Sequence, residues 1–187
     1  MSISTAKMTA RQFLQLGEDP PGVRLELVDG EIAVSPSPNF DHSHVEKNLS
    51  FILLGHIRKE DLGELVGDVD TIFGELDVRR PDIIYIAKRR VNAIVKNVIE
   101  GSPDLCVEIL SPSSDRIDRQ DKFKQYQDAR VAFYWIVDPQ DRTIEAFELK
   151  NRKYRPAGSG KGNQTVRLPP FPDLDIPLAN LWFTRKR

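Results

Sequence analysis

The sequence predicts an α/β protein with a mixed central β-sheet, helices on its flanks and hairpins at its edges. Short apolar runs bounded by Pro and turn residues, at 82–86, 103–110 and 131–137, read as buried strands. Residues 41–59 carry Val45, Leu49, Ile52, Leu53 and Ile57 at three- and four-residue steps, the mark of an amphipathic helix. Residues 24–34 and 143–149 alternate, as half-buried edge strands do.

Taken in order, Thr9-Ala10-Arg11-Gln12 has capping-box spacing and starts a short helix to about residue 16. Asp29-Gly30, at the centre of the first alternating stretch, is a strong hairpin signal. A Ser/Pro loop at 35–39 precedes the long helix, and short strands are expected near 64–66 and 70–73. Residues 87–99 read ambiguously and could hold a short helix. A turn at Ser111-Pro112-Ser113-Ser114 leads into a helix over about 115–129, with the 131–137 strand and its hairpin partner after it. Gly158-Ser159-Gly160-Lys161-Gly162 reads as a flexible loop, because it has neither the spacing nor the following helix of a phosphate-binding loop. A strand near 165–168 and a proline-rich finish end the chain.

At 187 residues, 40% apolar and 29% charged, the chain is expected to form one globular domain over 1–187, with its core in about 8–183. A net charge of −1 gives no overall basic field, so nucleic-acid binding would need a local patch. The single cysteine, Cys106, sits mid-strand as core filler and excludes an internal disulfide framework. No apolar run is long enough to span a membrane, and the N-terminus lacks an apolar signal core, so a cytoplasmic location is expected.

The chemistry lies in two carboxylates placed inside apolar strands. Asp82 begins Asp82-Ile83-Ile84-Tyr85-Ile86, and Glu108 sits in Leu105-Cys106-Val107-Glu108-Ile109-Leu110. Burying an unpaired charge costs several kcal/mol or more, so two such residues on strands expected to be neighbours suggest a divalent-metal site. Magnesium takes hard oxygen ligands, commonly one or two carboxylates completed by water and phosphate. Glu26 shares a strand face with Arg24 and Val28, and Lys122 lies one helical turn beyond Asp118. A lysine beside such a metal can orient water and stabilise developing negative charge. The alternatives are structural: Asp82 paired with Arg79 or Arg80, Glu26 in an edge-strand salt bridge, and Lys122 solvated beside Asp118. Basic residues cluster locally at Arg79, Arg80, Lys88, Arg116 and Arg119, and on a common rim they would form a phosphate-backbone groove.

The chain resembles the Uma family of restriction-endonuclease-like proteins, within the PD-(D/E)xK nuclease superfamily. The resemblance rests on 25–31 (Leu-Glu-Leu-Val-Asp-Gly-Glu), Ser35-Pro36-Ser37-Pro38 with His42 opening a helix, and Arg80-Pro81-Asp82. It continues through 107–113, Lys122 with Tyr126, and 134–139 (Tyr-Trp-Ile-Val-Asp-Pro). It implies a restriction-endonuclease-like fold and a metal-dependent endonuclease acting on DNA. Asp82 and Glu108 would bind Mg²⁺ or Mn²⁺, with Glu26 and Lys122 catalytic and His42 and Asp118 supporting. One position departs from the superfamily pattern: Leu110 stands where the motif lysine is expected, and Lys122 of the following helix takes its place in relatives of this kind. Cutting both strands of a duplex suggests a homodimer. The competing reading is an inactive module that keeps the fold and binds nucleic acid or a protein.

Overall fold

The computed structural model describes residues 7–111 and 117–184. A capping box starts α1 (Ala10–Phe13): Thr9 Oγ1 accepts from the Gln12 N–H at 3.3 Å, and Gln12 Oε1 accepts from the Thr9 N–H at 2.8 Å. The helix is shorter than predicted, closing in turns after Phe13. Val23–Val28 (β1) and Glu31–Pro36 (β2) pair as the expected hairpin. Asp29 and Gly30 at its tip both take positive φ, 49° and 77°, as a two-residue type I′ turn requires. The Asn39 side chain then accepts from the His42 N–H at 2.9 Å and caps α2 (Phe40–Lys59). The inner face of α2 is the predicted stripe, with Val45, Leu49, Leu53 and Ile57 fully buried.

Four strands follow, β3 (Gly63–Val66), β4 (Thr71–Gly74), β5 (Asp77–Arg79) and β6 (Ile83–Ala87). The ambiguous stretch resolves into a short helix, α3 (Lys88–Ile94), and a two-residue strand, β7 (Ile99–Glu100). After β8 (Leu105–Ile109), residues 112–116, which hold most of the predicted 111–114 turn and the start of its helix, lie outside the described residues. The described helix opens as a π-helical segment, Ile117–Lys122, and continues as α4 (Phe123–Asp128). Phe133–Asp138 (β9), Thr143–Lys150 (β10), Lys153–Lys161 (β11), Thr165–Leu168 (β12) and Phe171–Pro177 (β13) complete the order.

The predicted central sheet is present and mixed, in the order β11-β10-β9-β8-β6-β3, with β8 and β9 parallel and the other pairs antiparallel. The strands do not all join it. β2-β1-β5-β4-β7 form a second sheet, and β12 and β13 pair separately. The second sheet stands apart because Leu27 of β1 and Val78 of β5 have their own partners, packing on Ala10 and Phe13 of α1.

One prediction is corrected. The glycine-rich stretch 158–162 is no loop, because Gly158 and Gly160 lie within β11, paired to Ala146 and Ile144. A Cβ on Gly158 would stand 2.6 Å from Leu168, and one on Gly160 would stand 2.4 Å from Val166. The glycines therefore let β12 approach closely, a role glycine takes within strands.

Strand alternation places the site. Ile83 and Tyr85 of β6, with Leu105, Val107 and Ile109 of β8, point into the core under α2. Cys106 points to the opposite face, among Tyr126, Tyr134 and Tyr154. Residues of the same parity, Glu108 on β8 and Asp82 just before β6, point to that opposite face as well.

Candidate active site

β6 and β8 pair antiparallel with Ile83 opposite Val107, so one further step of the same register sets Asp82 opposite Glu108. Both are buried, at 5% and 1% exposure. Asp82 Oδ2 accepts from the Ile109 N–H at 2.8 Å and from His42 Nε2 at 3.0 Å, while Oδ1 faces Arg24 Nη1 at 3.3 Å. Glu108 Oε2 meets Lys122 Nζ at 2.7 Å, and Oε1 accepts from the Tyr126 hydroxyl at 2.6 Å. Asp118 Oδ1 lies 3.1 Å from the same ammonium. An ionised carboxylate only accepts, so His42 donates through Nε2, and its buried Nδ1 has no partner among the described residues.

Glu26 arrives from the other sheet. β1 and β5 pair through Leu27 and Val78, which turns Glu26 toward the segment joining β5 to β6. There Oε2 pairs with Arg79 Nη1 at 3.0 Å and Oε1 accepts from the Arg80 N–H at 2.8 Å. The structure thus brings Glu26, Asp82, Glu108, Lys122, His42 and Asp118 around one pocket of about 410 Å³, walled on one side by Ser35–Asn39.

Among the described residues, the predicted basic cluster does not share one rim. Arg79 is buried, at 3% exposure, against Glu26 and Gln125. Arg80 is held between Asp19 and Asp70. Lys88 lies beyond the far end of β6, roughly 20 Å of strand from Asp82, and pairs with Asp61. Arg119 turns to Glu145 and Asp138, and Arg116 lies outside the described residues. The pocket's partly exposed cation is Arg24, which bridges Asp82 and, at 2.7 Å, Asp68. Its place two residues from Glu26 on the same strand face was the available signal.

Among the described residues, Glu26, Asp82, Glu108 and Asp118 gather around three cations, Arg24, Arg79 and Lys122, and Arg24 is shared with Asp68. Burial works to raise the Glu26 and Asp82 carboxyls. Lys122, Arg79 and the Arg80 N–H outweigh it for Glu26, and His42, Lys122 and the Ile109 N–H do so for Asp82, so both lie below the usual carboxylate range. Glu108 moves the other way. Burial, opposed by Lys122 but reinforced by Asp82, Asp118 and Glu26, pushes it up to about 8. Burial disfavours the Lys122 ammonium, yet Glu108, Glu26, Asp118 and Asp82 together hold it charged.

A carboxyl whose folded value is raised binds more protons in the folded than in the unfolded chain, so its contribution falls as pH rises from about 4.5 to about 8. Without metal, thermal stability of Glu108→Gln is therefore expected to fall less steeply than wild type over that window. Parallel melting curves across the window would place the surplus proton elsewhere.

Among the described residues, no group of three or more His, Cys, Asp and Glu side chains could hold a metal ion by itself. Two adjacent carboxylates lining one pocket nevertheless suit a hard divalent cation that keeps waters or takes phosphate oxygens. No described helix is long and apolar enough to cross a membrane.

The fold is a mixed α/β, nuclease-like one. Residues 10–179 match the model of the Uma2 family, described as a putative restriction endonuclease, and the chain belongs to that family. It is 25% identical over 151 residues to an uncharacterised protein of Synechocystis sp., a match spanning 79% of this chain and 85% of the relative. Its fold is similar to the crystal structure of an Anabaena variabilis protein described as a putative nuclease of DUF820. There the TM-score is 0.77 at 20% identity, over 93% of this chain and 97% of the other.

Proposed function

We propose that the protein is a metal-dependent endonuclease that hydrolyses phosphodiester bonds of DNA, working in the cytoplasm as a homodimer. The observation that carries this reading is the juxtaposition of buried Asp82 and Glu108 across one strand pair, with Lys122 on Glu108. Asp82 and Glu108 would hold Mg²⁺ or Mn²⁺, which when bound neutralises phosphate charge and lowers the pKa of water.

The chain's own groups do the rest. His42 and the Ile109 N–H orient Asp82, and the Tyr126 hydroxyl orients Glu108. Lys122, kept charged by its carboxylate neighbours, presents ammonium hydrogens to the attacking water and to negative charge growing on phosphorus-bound oxygen. Glu26 has both oxygens engaged, so it acts by its charge, helping Asp118 and Glu108 hold the ammonium in place. Arg24, at the pocket mouth, faces a phosphate oxygen through its guanidinium fork.

The test is cleavage of supercoiled plasmid and of single-stranded DNA with Mg²⁺ or Mn²⁺, beside an EDTA control. Wild-type cleavage that EDTA, Asp82→Ala and Lys122→Ala each remove is the expected result. Cleavage that persists in Asp82→Ala would move the chemistry away from this pocket.

A further inference from the structure

The reaction pocket does not end at its own walls. Asn39 and Ser111, which line it, also line a second cavity of about 410 Å³ bounded by Asp138, Pro139 and Gln140. Asp41, Pro139 and Gln140 of that cavity then line a third, of about 360 Å³, whose far end is Arg142, Trp182 and Phe183. Sharing these walls, the three cavities follow one another along the N-terminal end of α2. At the far end stand exposed aromatic rings. Phe183 is 41% exposed and Phe40 is 64% exposed. They meet edge to face at 4.8 Å, and His44 completes the cluster, stacked on Phe40 at 5.9 Å and edge-on to Phe183 at 5.4 Å.

Exposed phenylalanines held by neighbouring rings are rigid apolar faces, and their place at the end of a groove from the reaction pocket says what they meet. We propose that this groove holds a single-stranded segment of the nucleic-acid substrate, with a base stacked on the Phe40 and Phe183 rings. The inference rests on the nuclease reading and names the form of substrate. A polymer whose reacting bond lies between Asp82 and Glu108 must leave the pocket along an open path. Bases in a duplex are already stacked on both faces, so protein rings of this kind accept unpaired ones.

Charge along the groove sets the strand's orientation. Asp41 and Asp138 line it, and Asp138 is engaged by the Gln140 and Asp141 N–H groups and faces Arg119 at 3.8 Å. Carboxylates are poor neighbours for phosphate but accept from base amino groups, so the bases face inward and the phosphates outward. At the aromatic end, Arg142 is exposed, which suits an outward backbone.

The test is fluorescence anisotropy of a labelled single-stranded oligonucleotide and its blunt duplex. Calcium replaces magnesium, because it takes the same class of oxygen ligands. Phe40→Ala and Phe183→Ala are each expected to weaken single-strand binding about tenfold. Phe40→Trp should retain it, Phe40→Leu should not, and calcium affinity should stay unchanged in all four. A 2-aminopurine in the oligonucleotide should be quenched by wild type and not by Phe40→Ala. Single-strand binding that is indifferent to both alanine variants, or a wild type that binds only the blunt duplex, overturns the inference. The nuclease reading fails separately, by absence of metal-dependent plasmid cleavage.

Discussion

Asp82→Asn is expected to lower metal-dependent cleavage by on the order of a thousandfold while leaving the fold in place. The substitution keeps the size of the side chain, and its amide oxygen can still accept from the Ile109 N–H, the contact that ties β6 to β8 at this point. What it removes is a negative charge beside Glu108. With Asp82 neutral, one of the two carboxylates that would face a divalent cation no longer carries charge, so the site's attraction for the cation falls. Calorimetric titration with Mn²⁺ should therefore show binding weakened in step with activity, and circular dichroism should show an unchanged fold. Full cleavage by Asp82→Asn, at wild-type metal affinity, would remove Asp82 from the ligand set.

How much of this was legible in the sequence follows from the range of each interaction. Asp82 and Glu108 could be read because a carboxylate in an apolar strand is conspicuous. The Asp29-Gly30 hairpin and the α2 stripe were legible for the same local reason, since turn chemistry and helical period are written in consecutive residues. The Asp118–Lys122 pair was visible as a spacing, but its burial was not. The two residues line the pocket because the segment carrying them folds against the sheet, with the Tyr134 hydroxyl donating to the Asp118 carbonyl at 3.0 Å.

The misreadings share one cause: they depend on contacts distant in sequence. Arg79 belongs beneath the site because β1 pairs with β5, which sets it against Glu26 fifty-three residues away. Lys88 is near Arg80 in sequence, yet β6 runs between them and carries it to the other end of the sheet. Gly158 and Gly160 read as flexible until the β12 side chains that fill the missing Cβ positions are known. Separation of the β2-β1-β5-β4-β7 sheet from the central one was hidden likewise, for it turns on α1 covering Leu27 and Val78.

Lys122→Met is expected to reduce both activity and stability, with a pH dependence that identifies why. Activity should fall on the order of a hundredfold or more, because an ammonium aimed at developing charge is lost. Stability should fall by about 3–5 kcal/mol where Glu108 is forced to ionise, since removing one partner of a buried pair strands the other charge. For a domain of this size that corresponds to roughly 10 °C in Tm. The sign against pH is fixed by Glu108. Its folded-state value, already about 8 with Lys122 beside it, moves higher still when the ammonium is removed. The protonated carboxyl is then tolerated at pH 6, and the deficit relative to wild type widens as pH rises through 8 and beyond. Adding Glu108→Gln removes the stranded charge, so the double variant should recover stability at pH 9 without recovering cleavage. Thermal melts of wild type and the single and double variants at pH 6 and pH 9, with plasmid cleavage on the same samples, separate the two roles of Lys122. A deficit equal at both pH values, unrelieved by Glu108→Gln, would mean that Lys122 supports the fold through its packing and not through its charge.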